Sequence, residues 1–185
     1  RIIPIEGICK KVTLVFLILI FTCEGILLNP ARLAYAATSP KAVTVYGQTG
    51  NFTATLANNG GITANSLSAP QGVVLDSSSN SYSTDSGNNR VLFYPVGTTT
   101  ATQVYGQTGS FSTALPNNGG TSATSLNNPQ GLALDSNGNL YVSDSGNNRV
   151  LFYPVGTTTA TRVYGQKGSF STALPNNGGT SATSL

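Results

Sequence analysis

Between Gly131 and Tyr164, apolar and polar residues fall into four short runs, each closed by turn-forming residues. Gly131-Leu-Ala-Leu-Asp135 reads as an apolar strand. Ser136-Asn-Gly-Asn139 follows as a hairpin turn, its glycine supplying the positive φ such turns need. Leu140–Ser143 is the second strand, Asp144–Asn148 the second turn and Arg149–Tyr153 the third strand. Pro154 ends that strand, because proline has no N–H to give to a ladder. Thr159–Tyr164 is the fourth. Four strands joined by three short connections predict an antiparallel meander. No segment of helical period reaches a useful length, so α and α/β classes are excluded.

The pattern recurs. Val45-Tyr-Gly-Gln48 returns as Val104–Gln107 and again as Val163–Gln166, spaced by 59 residues each time. Tyr46–Val104 and Tyr105–Val163 are identical at 41 of 59 positions. Tyr164–Leu185 copies Tyr105–Leu126 with one change, Lys167 in place of Thr108. Self-similarity at a fixed period marks stacked units that bury their faces on one another. The units are expected at 45–103 and 104–162, with a partial third at 163–185.

Pro129-Gln-Gly131 through Arg149-Val150 resembles the NHL repeat. The resemblance rests on the Pro-x-Gly opening, the apolar strand ending in Asp135, the Gly-Asn turn and the Tyr141-Val142 strand. It also rests on the Asp-x-x-Asn-x-Arg turn, present as Asp144, Asn147, Arg149 and as Asp85, Asn88, Arg90. The resemblance implies an all-β protein of β-propeller blades, an exported NHL protein of bacterial type, with about two and a half blades in this chain. Such propellers usually have about six blades. Two and a fraction blades cannot close a ring, so sheet edges and inter-blade faces are expected to be exposed and the isolated chain to be unstable. The chain begins with Arg1 and contains no Met, and it is expected to be a fragment of a longer product.

The first repeat departs from the second. Ser79, Ser81 and Ser83 stand where the second has Gly138, Leu140 and Val142. Burying two fewer large apolar side chains forgoes roughly 1.5–3 kcal/mol each. That strand is therefore expected to pack loosely, and its blade to be weakened or to lie at an edge.

Residues 1–36 read as a signal peptide. Lys10 and Lys11 precede the apolar run Val12–Phe21, and Ala34-Tyr-Ala36 supplies a small-residue cleavage site. The alternative is a retained anchor. Extending the run through Leu28 gives 17 residues interrupted by Glu24 and Gly25, short of the roughly 20 needed to span a bilayer. Thr22 disfavours a lipoprotein site at Cys23. A secreted or cell-surface location is expected, with membrane contact only through the N-terminal segment if it stays uncleaved.

Composition narrows the chemistry. Only 8% of residues are charged, and the formal net charge is +3. Residues 37–185 hold five basic residues and four Asp, a net of +1, which disfavours nucleic acid as a partner. They contain no Cys, His or Glu, which removes disulfides, histidine-based metal sites and the commonest general bases. Neither catalytic residues nor a cofactor or metal is expected.

The Asp-x-x-Asn-x-Arg turns recur once per unit, so they are read as structural: Asp144 and Arg149 pair, and Asn147 bonds its own backbone. Asp135–Asn139 resembles a calcium loop only superficially, because Leu140 stands at the sixth position and Gly146 at the twelfth. The Gly47-x-x-Gly50 and Gly106-x-x-Gly109 loops lack the lysine of a phosphate loop. What exceeds blade architecture is the linking segment 106–128, whose Thr121–Leu126 stretch allows one helical turn. Phe52, Phe111, Asn117, Asn118 and Phe170 on these segments are the candidate ligand face, suited to protein, peptide or glycan. Alternatively, Phe111 and Leu126 plug gaps between units.

The leading expectation is a non-enzymatic binding or scaffold module. The alternatives are part of a propeller lyase or hydrolase with catalytic residues on other blades, and an RNA-binding NHL domain, which would need a basic face.

Overall fold

A computed structural model describes residues 40–185; the leader, with Cys9 and Cys23, lies outside the described residues. The strands lie in the unit Ala42–Leu185. They form two four-stranded antiparallel sheets, each in simple chain order. Blade 1 comprises β1 (Val73–Leu75), β2 (Ser81–Asp85), β3 (Arg90–Tyr94) and β4 (Gln103–Tyr105). Blade 2 comprises β5 (Pro129–Leu134), β6 (Leu140–Asp144), β7 (Arg149–Tyr153) and β8 (Arg162–Tyr164).

The meander is the one expected, with three local differences. β5 starts earlier, at Pro129, and reaches Leu132 across a bulge, a position where a strand tolerates proline. β8 starts later, at Arg162, because the Ala160 N–H is given to the Ala123 carbonyl of the linking segment at 3.0 Å. Thr121–Leu126 forms no helical turn. The Ser125 hydroxyl accepts the Ser122 N–H at 2.8 Å, and Ser125 bridges to Gln107, which curls the chain flat against the blade.

Register assigns every side chain to a face, since directly paired residues of an antiparallel ladder point the same way. In blade 1, Ser83 pairs with Val73 and Leu92, and Ser81 with Leu75 and Tyr94; these residues form the A face. Tyr82 pairs with Val74 and Phe93, and Val91 with Tyr105; these form the B face. In blade 2 the A face carries Leu132, Leu134, Leu140, Val142, Leu151 and Tyr153.

The main core is the B face of blade 1 against the A face of blade 2. Tyr82, Val91 and Tyr105 meet Leu140, Val142, Leu151 and Tyr153, with Leu132 and Leu134 packed at the margin. Tyr105 and Tyr153 meet edge to face at 5.1 Å, a preferred aromatic geometry. A second cluster, Leu92, Tyr94 and Val104, lies on the A face of blade 1 under Leu67 of the preceding linking segment.

Candidate binding surface and the turns that carry it

Each Asp-x-x-Asn-x-Arg turn holds a linking segment against its blade. β2 delivers Asp85 and β3 delivers Arg90 across a one-turn 3₁₀ helix, Ser86–Asn88, closed by Asn89 at φ 55°. Asp144 and Arg149 are joined the same way across Ser145–Asn147, closed by Asn148 at φ 50°. Asparagine tolerates this left-handed backbone because its short side chain bonds locally.

The two ion pairs, Arg90–Asp85 at 2.6 Å and Arg149–Asp144 at 2.7 Å, have fully buried side chains. A buried pair survives only when its remaining donors and acceptors are also satisfied. Arg149 gives Nη1 to the Phe170 carbonyl at 2.6 Å, and Nη2 to the Ser122 and Ser125 carbonyls, both at 2.9 Å. Asp144 accepts the Asn127 N–H at 2.7 Å and the Asn147 amide at 2.7 Å. Arg90 repeats the pattern on Phe111, Thr63 and Ser66. One guanidinium thus fastens loops on both sides of its turn. Burial pushes the Asp144 carboxyl above the ordinary range, against the Asn127 N–H, the Asn147 amide and the Arg149 charge, which pull it down.

The sequence reading assigned Asn147 to its own backbone; instead its amide reaches Asp144 and exchanges bonds with Asn117. Asn147 Nδ2 donates to Asn117 Oδ1 at 2.7 Å, and Asn117 Nδ2 donates back to Asn147 Oδ1 at 2.9 Å. Asn58 and Asn88 make the same reciprocal pair. Local sequence offers no signal for this, because the partners lie 30 residues apart.

The candidate ligand-face residues therefore separate. Asn117 is committed to Asn147, and Phe111 packs against the second cluster while its carbonyl holds Arg90. Phe170 packs at the margin of the main core and its carbonyl holds Arg149. Asn118 spans its own loop, donating to the Gln107 carbonyl at 3.5 Å and the Thr108 hydroxyl at 3.4 Å. Phe52 is open to solvent at 55% exposure.

Two clefts, related by the repeat, open beside these loops. One, about 290 Å³, is lined by Val104, Gly106, Thr108, Thr124, Thr158 and Thr159. The other, about 470 Å³, is lined by Val163, Gly165, Lys167, Ala182 and Thr183. Their walls are hydroxyls, small apolar groups and backbone, joined in the larger cleft by Tyr164 and by Lys167, the one charge. Sequence reasoning missed the threonines, since only folding brings residues 104–124 and 158–159 together. Among the described residues no group of His, Cys, Asp and Glu could hold a metal ion.

No curated protein matches the chain. Among solved structures it is similar to a catalytically inactive virginiamycin B lyase from Staphylococcus aureus with quinupristin, at 20% identity and a TM-score of 0.36, over 52% of this chain and 27% of that one. A streptogramin B lyase matches at 19% identity and a TM-score of 0.35, over 52% of this chain and 26% of its own. The chain spans about a quarter of the length of these lyases. Residues 126–152, from the buried Leu126 through β7, match the NHL repeat family. The chain therefore carries an NHL repeat, folded as a four-stranded propeller-type blade on a second blade built to the same plan.

Proposed function

We propose that this chain belongs to a non-enzymatic binding or scaffold module outside the cell membrane, which takes an uncharged peptide or glycan in the clefts between linking segment and blade. The observation that carries the reading is where the charge goes. Both ion pairs are buried, so the arginines of the repeated turns serve the fold and present nothing to a ligand. Asp76 and Asp135 are likewise engaged, each accepting three bonds within its own hairpin turn. Threonine hydroxyls at the clefts offer paired donor and acceptor capacity, which suits neutral, hydroxyl- or amide-bearing ligands. Export rests on the leader pattern of residues 1–36.

Binding of the chain to arrayed glycans and neutral peptides tests this. The expected result is a ligand whose affinity changes less than about twofold on raising salt through the range that screens surface charge. Thr124→Val together with Thr159→Val should weaken it at least about tenfold, as removal of ligand hydrogen bonds does. Binding dominated by polyanions, with steep salt dependence, would sink the reading.

A further inference from the structure

Among the departures of the first linking segment, two fall in one turn. Asn51-Phe-Thr53 stands where the second and third segments have Ser110-Phe-Ser112 and Ser169-Phe-Ser171. The result is an Asn-x-Thr triplet, the acceptor pattern for N-linked sugar, and the chain holds no other Asn-x-Ser or Asn-x-Thr triplet.

The fold does not call for the amide. The turn needs an oxygen that accepts the N–H two residues on, and a serine provides it. Ser110 Oγ takes the Ser112 N–H at 3.3 Å, and Ser169 Oγ that of Ser171 at 3.4 Å. Asn51 does this with Oδ1, which accepts the Thr53 N–H at 2.9 Å and the Thr53 hydroxyl at 2.8 Å. Both bonds use the oxygen, so Nδ2 is the free end of the amide, without a partner among the described residues. Asn58, Asn59, Asn117 and Asn118 instead spend their Nδ2 groups on the neighbouring turn or on their own loop.

Asn51 and Thr53 are exposed, and that openness does not depend on what precedes them. Ser110 and Ser112 hold the same turn between two described blades, and there Ser112 is exposed and Ser110 half-buried. A blade on the other side of Asn51 therefore leaves the turn accessible.

We infer that Asn51 is the acceptor for an N-linked oligosaccharide, a reading that rests on export of the chain by its leader. In the transfer, Nδ2 bonds to the anomeric carbon of an oligosaccharide carried on a lipid diphosphate. The bond from that carbon to the diphosphate oxygen breaks, the lipid diphosphate leaves, and the amide gives up one proton to a base of the transferase. Oδ1 takes no part in the new bond, so both bonds that hold the turn survive the modification.

The test is translation of the full chain with microsomes that hold a lipid-linked oligosaccharide and its transferase. Resistance to added protease reports export, and a gel shift reversed by peptide-N-glycosidase reports the sugar. The expected result is a protected chain carrying one oligosaccharide. The shift should be lost in Asn51→Ser, which copies the later repeats and keeps the turn, and in Thr53→Ala, but kept in Thr53→Ser. A protected chain without the shift overturns the site and leaves the export reading standing. An unprotected chain overturns the export reading and the site with it. A shift that survives Asn51→Ser would put the sugar elsewhere, and would sink the inference as well.

Discussion

Blades 1 and 2 share most of their sequence and all of their topology, yet bury different faces of the same strand. In β6 the A-face residues Leu140 and Val142 are buried and Tyr141 is partly open; in β2 the B-face Tyr82 and Thr84 are buried and the A-face serines partly open. The strands are not inverted. The difference is which face has a neighbour, since blade 1 covers the A face of blade 2. Tyr105 at 2% exposure and its counterpart Tyr164 at 43% report the same asymmetry on the other face. Burial in a stacked array belongs to the interface and not to the repeat.

If that is right, exchanging the departures should act very unequally. Leu140→Ser with Val142→Ser would give blade 2 the composition of blade 1 at a fully buried contact. At about 2–5 kcal/mol for each truncated core side chain, chemical denaturation should show loss of most of the unit's stability. Ser81→Ala with Ser83→Ala, at the equivalent positions of blade 1, should change it by less than about 0.5 kcal/mol apiece.

The turn networks predict equality instead. Asp144→Ala leaves the buried Arg149 guanidinium unpaired, and should destabilise by about 3–5 kcal/mol in urea melts. Asp85→Ala should match it within experimental scatter, because Arg90 makes the same bonds. A several-fold disparity would mean that the blades do not use the turn alike.

A smaller effect belongs to the β1–β2 turn. Ser79 holds φ 65° where blade 2 has Gly138 at φ 81°. Ser79→Gly removes the Cβ strain of that backbone and should stabilise by about 1 kcal/mol, read as a raised Tm. Gly138→Ser should do the reverse by a similar amount.

The smallest is a pH effect. The Asn139 side-chain amide holds the Asp135 carboxyl below its ordinary 3.8 against the opposing effect of desolvation, with the Asn139 and Asn137 N–H groups adding to the lowering. A folded value below the unfolded one means stability present above 3.8 and lost as pH falls through the folded value. Asn139→Ala should shrink that acid-side slope; an unchanged slope would assign it to other groups.

Much of this was legible along the chain. The glycine and asparagine turns, the strand alternation and Pro154 located the meander of blade 2 to within a few residues. The linking segment was not. Its Thr121–Leu126 stretch carries helix-compatible residues, but a serine side chain and a bridge to Gln107 decide its path. Asn117 likewise looked free for a ligand, because nothing nearby in sequence marks the buried Asn147 it meets, whereas the alternative that Phe111 and Leu126 fill gaps is the one the packing follows.

Residue order alone was enough to define the period, the strand faces and the Asp–Arg pairing of the turns, because alternation and turn propensity act over a few neighbours. Which of two near-identical faces is dry, and which loops share a cleft, came from packing between segments up to about 59 residues apart. Solvent exclusion there depends on what lies opposite, and a single repeat carries no record of its neighbour.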